Sequence, residues 1–594
     1  MDRYLKFVFV FFILIVFLLE GLGINDGREA AYYLILLMPF FLFLPQFIAK
    51  GKKILFPAKF TFIFCLFMLF SLVSALFSVN LQNSFQSLFL YTALFLVFIF
   101  VCNHKELVKN LVLPLIFMIA FIFSTFSLFA SFFIKQNSLF SIPIDLVGQG
   151  YQFIYSVGAH NHLGDFLLLP LTFLIFRLSA ERFKFRDLFL LLFFIPYFIF
   201  AYSRSAYLDL VLVTLLILYF VFKRGVRVKK RLTFPVLGLM LAVILAVLVF
   251  AVPSDTGKLA FLSSLNATLQ QKYDLSAGKT FFAYRNFYAT EGLFSLASKP
   301  LFGVGPGNFG YASDQYTKDP TLHSDTGHNL FVDVFVENGM LAGIVFLTLF
   351  LLILSNIKVK LQKADIKYLN TNNVLYVFLF LAMLLNFQTD YTYLIHSFFL
   401  LFFVLLGLTY DEEDTMEIKF LVSALSLALL LIFNLAILSN IALSKGNYRL
   451  GFYAYPLNQD VYVPLVESQL AGNQQSAAFS YLNYYVKLFK GDEDVLTFAG
   501  NVYYAASEGD KALPFYERAF DAYNFADPGL IARIYNLKLD IQGQTKAKEF
   551  ADKYFSILSG INNNSSYYQT YYYYRLAAFK VCQGIYSGNC PYAL

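Results

Sequence analysis

Apolar runs of eighteen or more residues recur along this chain of 594 residues, and they constrain its fold more than any other feature. Each run is long enough to cross, as a helix, a bilayer core of roughly 30 Å. Only 14% of the residues are charged, against about 25% in a typical soluble domain. Because spanning segments must satisfy their own backbone hydrogen bonds, the sequence predicts an all-α, polytopic transmembrane helical bundle.

The hydropathy pattern predicts twelve or thirteen spans in a membrane domain of residues 1–438. The first run follows Met1-Asp2-Arg3 and resembles a signal peptide at its start, but it lacks a small-residue cleavage site. We therefore predict an uncleaved first helix. The thirteen candidate spans centre near residues 15, 40, 68, 93, 122, 170, 195, 214, 242, 347, 380, 400 and 429.

Loops rich in lysine and arginine alternate along the chain with loops that have few of them. The loops after spans two, four, six, eight and ten are rich in them, whereas the short alternate loops hold almost none except Arg28, Lys135 and Arg204. Since positive residues are retained in the cytoplasm, this bias predicts a cytoplasmic amino terminus. Arg204, the loop of residues 254–328 and everything after the last span then lie on the outer side of the cytoplasmic membrane.

After about residue 438 the chain becomes polar, with apolar residues at helical spacing. Two interpretations of residues 439–594 stay open, a short repeat domain of the tetratricopeptide type and a generic bundle of helical hairpins. Either would be an extracytoplasmic scaffold suited to a polymer, a peptide or a protein partner. The repeat interpretation rests on alanines 35 residues apart after glycine turns, and on a central unit close to the 34-residue pattern: Gly472, Ala477, Gly500, Tyr503, Gly509, Ala512, Tyr516, Ala519, Gly543 and Ala547.

Two cysteines, Cys582 and Cys590, lie in the terminal segment. In an oxidising compartment they can form a disulfide, and the sequence leaves pairing and free thiols equally open.

We expect the chemistry to lie in the polar loop of residues 254–328, because long structureless loops are uncommon unless they are functional. Arg285 lies in an aromatic, amphipathic stretch, which is typical either of an interfacial anchor or of a phosphate-binding guanidinium. Gly303, Gly305 and Gly307 are not followed by a strand–turn–helix pattern. They predict a tight, re-entrant turn whose backbone approaches a neighbour closely.

His328 precedes a helical stretch of residues 329–357, which at 1.5 Å per residue is roughly 43 Å long. The stretch overshoots the membrane core, so we predict that it projects outward or bends near Gly339 and Gly343. A helix amino terminus disfavours protonation and leaves a neutral imidazole able to accept a proton. The alternative is a histidine that only hydrogen-bonds the helix start.

Arg204 ends span seven, where it is either an interface residue that extends to water or a functional residue. His160, His162 and His323 lack partners at convincing ligand spacing, so no metal site is predicted.

Several short motifs, taken in order over roughly residues 150–410, resemble those of the bacterial O-antigen ligase superfamily. This superfamily includes O-antigen ligases, polymerases of related glycans and pilin O-oligosaccharyltransferases. The motifs are Gly158-Ala159-His160-Asn161-His162-Leu163-Gly164, Ser203-Arg204, Arg285, the segment from Pro300 to Phe309, His328-Asn329 and Glu337-Asn338-Gly339.

The resemblance implies a membrane glycosyltransferase that moves a glycan from a polyprenyl (undecaprenyl) pyrophosphate carrier to an acceptor hydroxyl on a lipid, a protein or another glycan. It implies no metal, nucleotide or other cofactor and no nucleic-acid partner. Arg204 and Arg285 would hold the pyrophosphate, and His328 would contact or deprotonate the acceptor. We expect six further residues to bind substrate: Asn161, Ser203, Gly305, Gly307, Asn308 and Asn329.

Two other functions compete with transfer. A flippase or exporter of polyprenyl-linked glycans should bury ionisable groups near the middle of its spans. Here Asp165, Asp209 and Asp333 lie near predicted outer ends, which favours surface chemistry. A membrane-anchored scaffold would not need thirteen spans.

Overall fold

The computed structural model describes residues 2–21, 27–48, 53–133, 161–179, 184–201, 203–223, 283–317, 323–363, 372–523, 527–559, 568–588 and 590–591. Twelve of the thirteen predicted spans fall on these residues, and each is a helix. The span predicted near residue 242 lies outside the described residues. The first eight helices are α1 (Asp2–Gly21), α2 (Gly27–Ile48), α3 (Ala58–Leu76), α4 (Leu81–Asn103), α5 (Lys105–Phe133), α6 (Asn161–Ser179), α7 (Phe185–Phe200) and α8 (Arg204–Lys223).

The remaining part of the membrane domain begins with two helices that come from the long loop. They are followed by four of the predicted spans. In order these helices are α9 (Ala283–Ser298), α10 (Phe309–Tyr316), α11 (Leu330–Lys363), α12 (Asn372–Thr389), α13 (His396–Thr409) and α14 (Lys419–Ser444).

In the described part of the chain, nine helices are long and apolar enough to cross a membrane. Helices α7, α12 and α13 are apolar but shorter, at 16, 18 and 14 residues, and only residues 374–389 of α12 qualify as an apolar stretch. Helix α13 is buried almost throughout and packs against α1, α2, α4 and α12. The chain is therefore a multi-pass membrane protein.

The two ends of the bundle differ in character. At one end, which we call the basic end, Lys105 and Lys360 pair with Asp411. At the other, which we call the loop end, Arg28 Nη2 donates to the Leu394 carbonyl oxygen at 3.0 Å, and Glu20 pairs with His396. Every one of these groups lies at the end to which the alternation of charged loops assigns it. Which end faces the cytoplasm stays a prediction from charge.

The prediction of an all-α chain needs one correction. Strand β1 (Leu55–Pro57) pairs antiparallel with strand β2 (Thr415–Glu417), and Phe56 is opposite Met416. Both strands belong to connections at the basic end. Two connections brought side by side there satisfy their backbone groups by pairing with each other, which no pattern within either short segment indicates.

Three consecutive helix pairs form the C-terminal domain, each joined by a short turn. In the described residues, one earlier helix connects the domain to the bundle, and a last helix follows the pairs. The helices are α15 (Tyr448–Ala454), α16 (Tyr462–Ala471), α17 (Gln475–Leu488), α18 (Glu493–Ala505), α19 (Gly509–Ala522), α20 (Pro528–Gln542), α21 (Gln544–Ser559) and α22 (Tyr568–Ile585).

The predicted repeat pattern is only partly matched by burial. Ala512 and Ala547 are fully buried as expected, but in the first pair Ala478 is buried and Ala477 is not. In that pair the buried alanine therefore lies one residue later than the 35-residue spacing predicts. The assignment to the tetratricopeptide type stays a prediction. Cys582 and Cys590 form a disulfide with their Cα atoms 5.4 Å apart, which decides the open question in favour of pairing.

The C-terminal domain contacts the loop end directly. Gly491 N donates to the Val79 carbonyl oxygen at 3.1 Å, and Gln459 N donates to Gln82 Oε1 at 2.9 Å. Tyr311 in α10 donates its hydroxyl to Asp492 Oδ2 at 2.7 Å. The domain is therefore held over the segment that the sequence singles out for chemistry.

We predict that Gly500→Ala destabilises the C-terminal domain. A Cβ at this position would lie 2.4 Å from the ring of Tyr516, which is fully buried and donates its hydroxyl to Asn501. Overpacking of this kind costs about 1–3 kcal/mol. Limited proteolysis of the full-length protein, with cleavage mapped to residues 439–594, measures the effect.

Gly584→Ala is the matched control, since a Cβ there would meet nothing within 4 Å and the residue lies in α22. Helix propensity predicts that it is neutral or stabilising, by up to about 1 kcal/mol. Equal protease resistance of the two variants would contradict the close packing of Gly500 on Tyr516.

Candidate active site at the loop end

Helix α11 is broken at Gly339, where φ is 78° and ψ is 177°. The break leaves carbonyl groups of the preceding turn without their helical donors. Val304 N and Gly305 N donate instead to the carbonyl oxygens of Val336 and Glu337, at 3.2 and 2.8 Å. Met340 N donates to the Pro300 carbonyl oxygen at 2.8 Å. The predicted bend is confirmed, and the glycine loop of residues 303–307 satisfies the backbone of the broken helix.

The glycines of this loop are required by space as well as by conformation. Gly303 and Gly305 have φ values of +66° and +98°. A Cβ on Gly303 would lie 2.3 Å from the Val336 carbonyl oxygen, and one on Gly305 would lie 2.1 Å from Ser78 Cβ. The predicted re-entrant turn with close backbone approach is therefore confirmed.

Asn308, predicted to bind substrate, has a structural task. Its side chain is fully buried, and Nδ2 donates to Ser84 Oγ at 2.8 Å and to the Asn80 carbonyl oxygen at 3.2 Å. These bonds attach the glycine loop to the start of α4. Of the glycine-loop residues predicted to contact substrate, Gly307 lines the cavity described below, whereas Gly305 and Asn308 do not.

Asp390 joins the separate parts of the loop end. It follows α12 and is fully buried. Its Oδ2 accepts a hydrogen bond from Ser205 Oγ at 2.8 Å and lies 3.4 Å from Arg285 Nη2. Its Oδ1 lies 3.7 Å from His328 Nδ1. Two of the three residues predicted to be catalytic, Arg285 and His328, therefore meet at one carboxylate.

Burial would raise the pKa of Asp390, but the adjacent His328 imidazole and the charge of the Arg285 guanidinium outweigh it. The pKa of this carboxyl consequently lies below its usual range, and Asp390 is ionised at neutral pH. Sequence reasoning overlooked this residue. The available signal was a carboxylate immediately after an apolar span, in Gln388-Thr389-Asp390-Tyr391.

His328 is positioned by aromatic rings and by an unusual backbone conformation. Its φ is 54°. The imidazole stacks on Tyr288, with ring centroids 5.4 Å apart, and meets the edge of Tyr391 at 4.8 Å. A non-glycine residue held at positive φ is uncommon and is typical of functional sites.

The helix start after His328 is capped by its neighbour. Asn329 Oδ1 accepts from the backbone N–H groups of Phe331 and Val332 at 3.0 and 3.2 Å. Asn329 Nδ2 donates to the Gln388 carbonyl oxygen at 3.0 Å. Asn329, and not His328, therefore caps the start of α11, and both ends of the Asn329 side-chain amide are used in hydrogen bonds within the protein. The imidazole of His328 is directed toward Asp390.

Arg204 is the first residue of α8, and its side chain lies outside the described part of the structure. Its neighbours are well defined. Ser203 Oγ donates to Asp165 Oδ1 at 2.8 Å and lies 3.0 Å from Ser205 Oγ, which in turn bonds Asp390. Arg204 therefore lies between two serines, Ser203 and Ser205, that belong to one hydrogen-bonded group with Asp390, which we call the Asp390 cluster. Asn161 begins α6, and its side chain is likewise outside the described residues.

A cavity of about 1270 Å³ opens beside His328. On the bundle side it is lined by Tyr288, His328 and Tyr391, among others. On the other side it is lined by residues 491–494, 522 and 523 of the C-terminal domain. The site is therefore an open cavity between the two domains, and His328 on its bundle side connects it to Asp390.

Residues 188–347 match the family model described as O-antigen ligase. The matched segment contains Arg204, Arg285, the glycine loop and His328, and it ends before Asp390. A search of curated proteins finds no match. The family match confirms the resemblance seen in the sequence. It implies a glycosyltransferase-like enzyme of the O-antigen ligase type, with a lipid-linked glycan donor and an acceptor.

We predict that Glu493→Gln stabilises the protein above neutral pH. Burial, followed by the charges of Asp494, Asp314 and Asp492, raises the pKa of Glu493 from 4.5 to about 7. Between these values the folded state binds more protons than the unfolded chain, so its stability falls as the pH rises. One pKa unit is about 1.4 kcal/mol, and screening at this half-buried position reduces the expected gain at pH 8 to about 1 kcal/mol.

Thermal unfolding in detergent at pH 4 and pH 8 measures this effect. Glu467→Gln, at an exposed position of the same domain, should leave the unfolding temperature unchanged at both values. An equal shift for Glu493→Gln at both pH values would exclude titration of Glu493 as the cause.

Proposed function

We propose that this protein transfers a glycan from a polyprenyl-pyrophosphate carrier to an acceptor hydroxyl of a lipid, a protein or another glycan, at the outer face of the bacterial inner membrane. The observation that carries the proposal is the meeting of Arg285 and His328 at Asp390. His328 lines a large cavity, and Arg285 and His328 both lie within the segment similar to O-antigen ligases.

The arginines bind the diphosphate of the donor. A planar, permanently charged guanidinium suits phosphate oxygens, and Arg285 is held by Asp390 close to the end of the bundle. Arg204 begins a helix whose next residue, Ser205, bonds the same carboxylate. Charge that develops on the leaving diphosphate is stabilised by donors oriented in advance, in a site of low dielectric.

His328 accepts the proton of the acceptor. Its Nδ1 faces Asp390, so Nε2 is the nitrogen directed to substrate, and the carboxylate stabilises the imidazolium that forms. The acceptor oxygen attacks the anomeric carbon while the bond from that carbon to the pyrophosphate oxygen breaks. The electron pair leaves with the diphosphate and the hydroxyl proton moves to Nε2, so the configuration at the sugar carbon is inverted. No cofactor takes part in these steps.

We expect Asp390→Asn to lower transfer of a lipid-linked oligosaccharide by about a hundredfold or more, an effect of the size seen when an oriented electrostatic group is removed. Asp390→Glu, which keeps the charge, should recover part of the activity. Purified protein in nanodiscs, with a fluorescent donor and acceptor, provides the measurement.

Asp411→Asn is the control for this change, since it removes a carboxylate that pairs with lysines at the basic end. It should retain transfer. Thermal unfolding of each variant separates loss of the site from loss of the fold. Wild-type transfer by folded Asp390→Asn would refute the central role of this carboxylate.

Arg204→Ala, Arg285→Ala and His328→Ala should each reduce transfer strongly. The two arginine variants should also weaken donor binding, because they remove diphosphate contacts, whereas His328→Ala should mainly lower kcat. Wild-type-like transfer by all three variants would overturn the assignment of the site. Movement of labelled lipid between leaflets without transfer would instead identify a flippase.

A further inference from the structure

The cavity beside His328 is lined by residues of both the membrane domain and the C-terminal domain. Asp492 accepts from Tyr311 at 2.7 Å and from Gln459 Nε2 at 3.1 Å, while Gly491 is attached to Val79. A Cβ on Gly491 would lie 2.6 Å from Val79 Cβ, so the domains are in close contact here. These contacts position the first residues of α18 so that they line the cavity.

The lining of the cavity has an unusual composition. Among the described residues that line it are seven tyrosines and nine carboxyl side chains, against a single arginine, Arg28, and no lysine. Several of these carboxyl groups have partners within the protein, such as Glu20 with His396 and Asp314 with His323. Glu493 and Asp494, on the C-terminal wall, are the carboxyl groups that the C-terminal domain adds beside Asp492.

The tyrosines and carboxylates together select a class of ligand. Tyrosine rings offer flat faces to apolar surfaces and a hydroxyl to polar ones. Carboxylates only accept hydrogen bonds, and sugar hydroxyls and ammonium groups donate them. A ligand with its own carboxylate or sulfate would meet like charges, which disfavour binding. Apolar faces bordered by hydroxyl groups are the surface that sugar rings present.

We propose that this cavity holds the sugar residues of the glycan, that it accepts neutral or amino sugars and rejects acidic ones, and that Glu493 and Asp494 of the C-terminal domain set this selectivity. The inference rests on the proposed function, since it assigns the cavity to the glycan of that reaction. The C-terminal domain then takes part in substrate choice and is more than an attached scaffold.

A binding assay tests this proposal without any transfer. The chain has no tryptophan, so Tyr523→Trp introduces a single indole into the cavity wall. In nanodiscs free of sugar-based detergent, at pH 8, where Glu493 is ionised, the indole emission is titrated with three tetrasaccharides: maltotetraose, the tetramer of glucosamine and tetragalacturonic acid. We expect saturable changes with the first two and at least tenfold weaker binding of tetragalacturonic acid.

The selectivity is tested by Glu493→Gln with Asp494→Asn in the same reporter protein. This pair should reduce the discrimination against tetragalacturonic acid to less than threefold. Glu467→Gln with Asp510→Asn, an identical charge change at exposed positions of the same domain, should leave it unchanged.

Each unfavourable outcome is decisive. Equal binding of the acidic and neutral tetrasaccharides by the reporter protein would overturn the proposal, and so would the absence of binding by both maltotetraose and the glucosamine tetramer. Unchanged discrimination in the Glu493 and Asp494 variant would overturn the role of the C-terminal wall. Transfer by Asp390→Asn and His328→Ala is measured separately, so failure of the cavity proposal is distinguishable from failure of the proposed reaction.

Discussion

Burying a carboxylate costs several kcal/mol unless charges and hydrogen bonds compensate for its lost hydration. Asp390 is fully buried at the end of an apolar helix, and its compensation comes from three different parts of the chain. The start of α8 supplies Ser205, the long loop supplies Arg285, and the residue before α11 supplies His328. Satisfying this one carboxylate therefore requires the loop end to assemble, and the same requirement brings an arginine and a histidine together.

The broken helix imposes a second constraint of the same kind. A helix interrupted at Gly339 would expose unpaired carbonyl groups, and unpaired backbone groups are costly where water is excluded. The glycine loop of residues 303–307 supplies the missing donors. The loop can approach so closely because its glycines adopt positive φ values and have no Cβ. The glycine loop thus acts as a splint for the broken helix. The single hydrogen of the Ser74 hydroxyl lies between the carbonyl oxygens of Phe302 and Glu337, one on each side of this contact.

The placement of the C-terminal domain follows from these constraints. Asn308 attaches the splint to the start of α4, and the residues just before α4 contact Gly491. Tyr311, one turn after the splint, bonds Asp492. The wall that the domain gives to the cavity is thereby tied to the same glycine loop that completes the broken helix. A single set of contacts therefore links the continuity of the broken helix to the shape of the cavity.

The sequence by itself determined the apolar helices that the structure describes and the bend at Gly339, because hydrophobic length and glycine conformations act locally. It also singled out Arg285 and His328, whose catalytic roles stay predictions. The tertiary structure alone decided that Asp390 joins those residues, that Asn329 and not His328 caps α11, and that Asn308 serves the fold. It also decided the pairing of two short strands at the basic end. Except for the Asn329 cap, which is a local contact, these features depend on which distant groups become neighbours once apolar surfaces are buried. Neither periodicity nor charge within one segment specifies that.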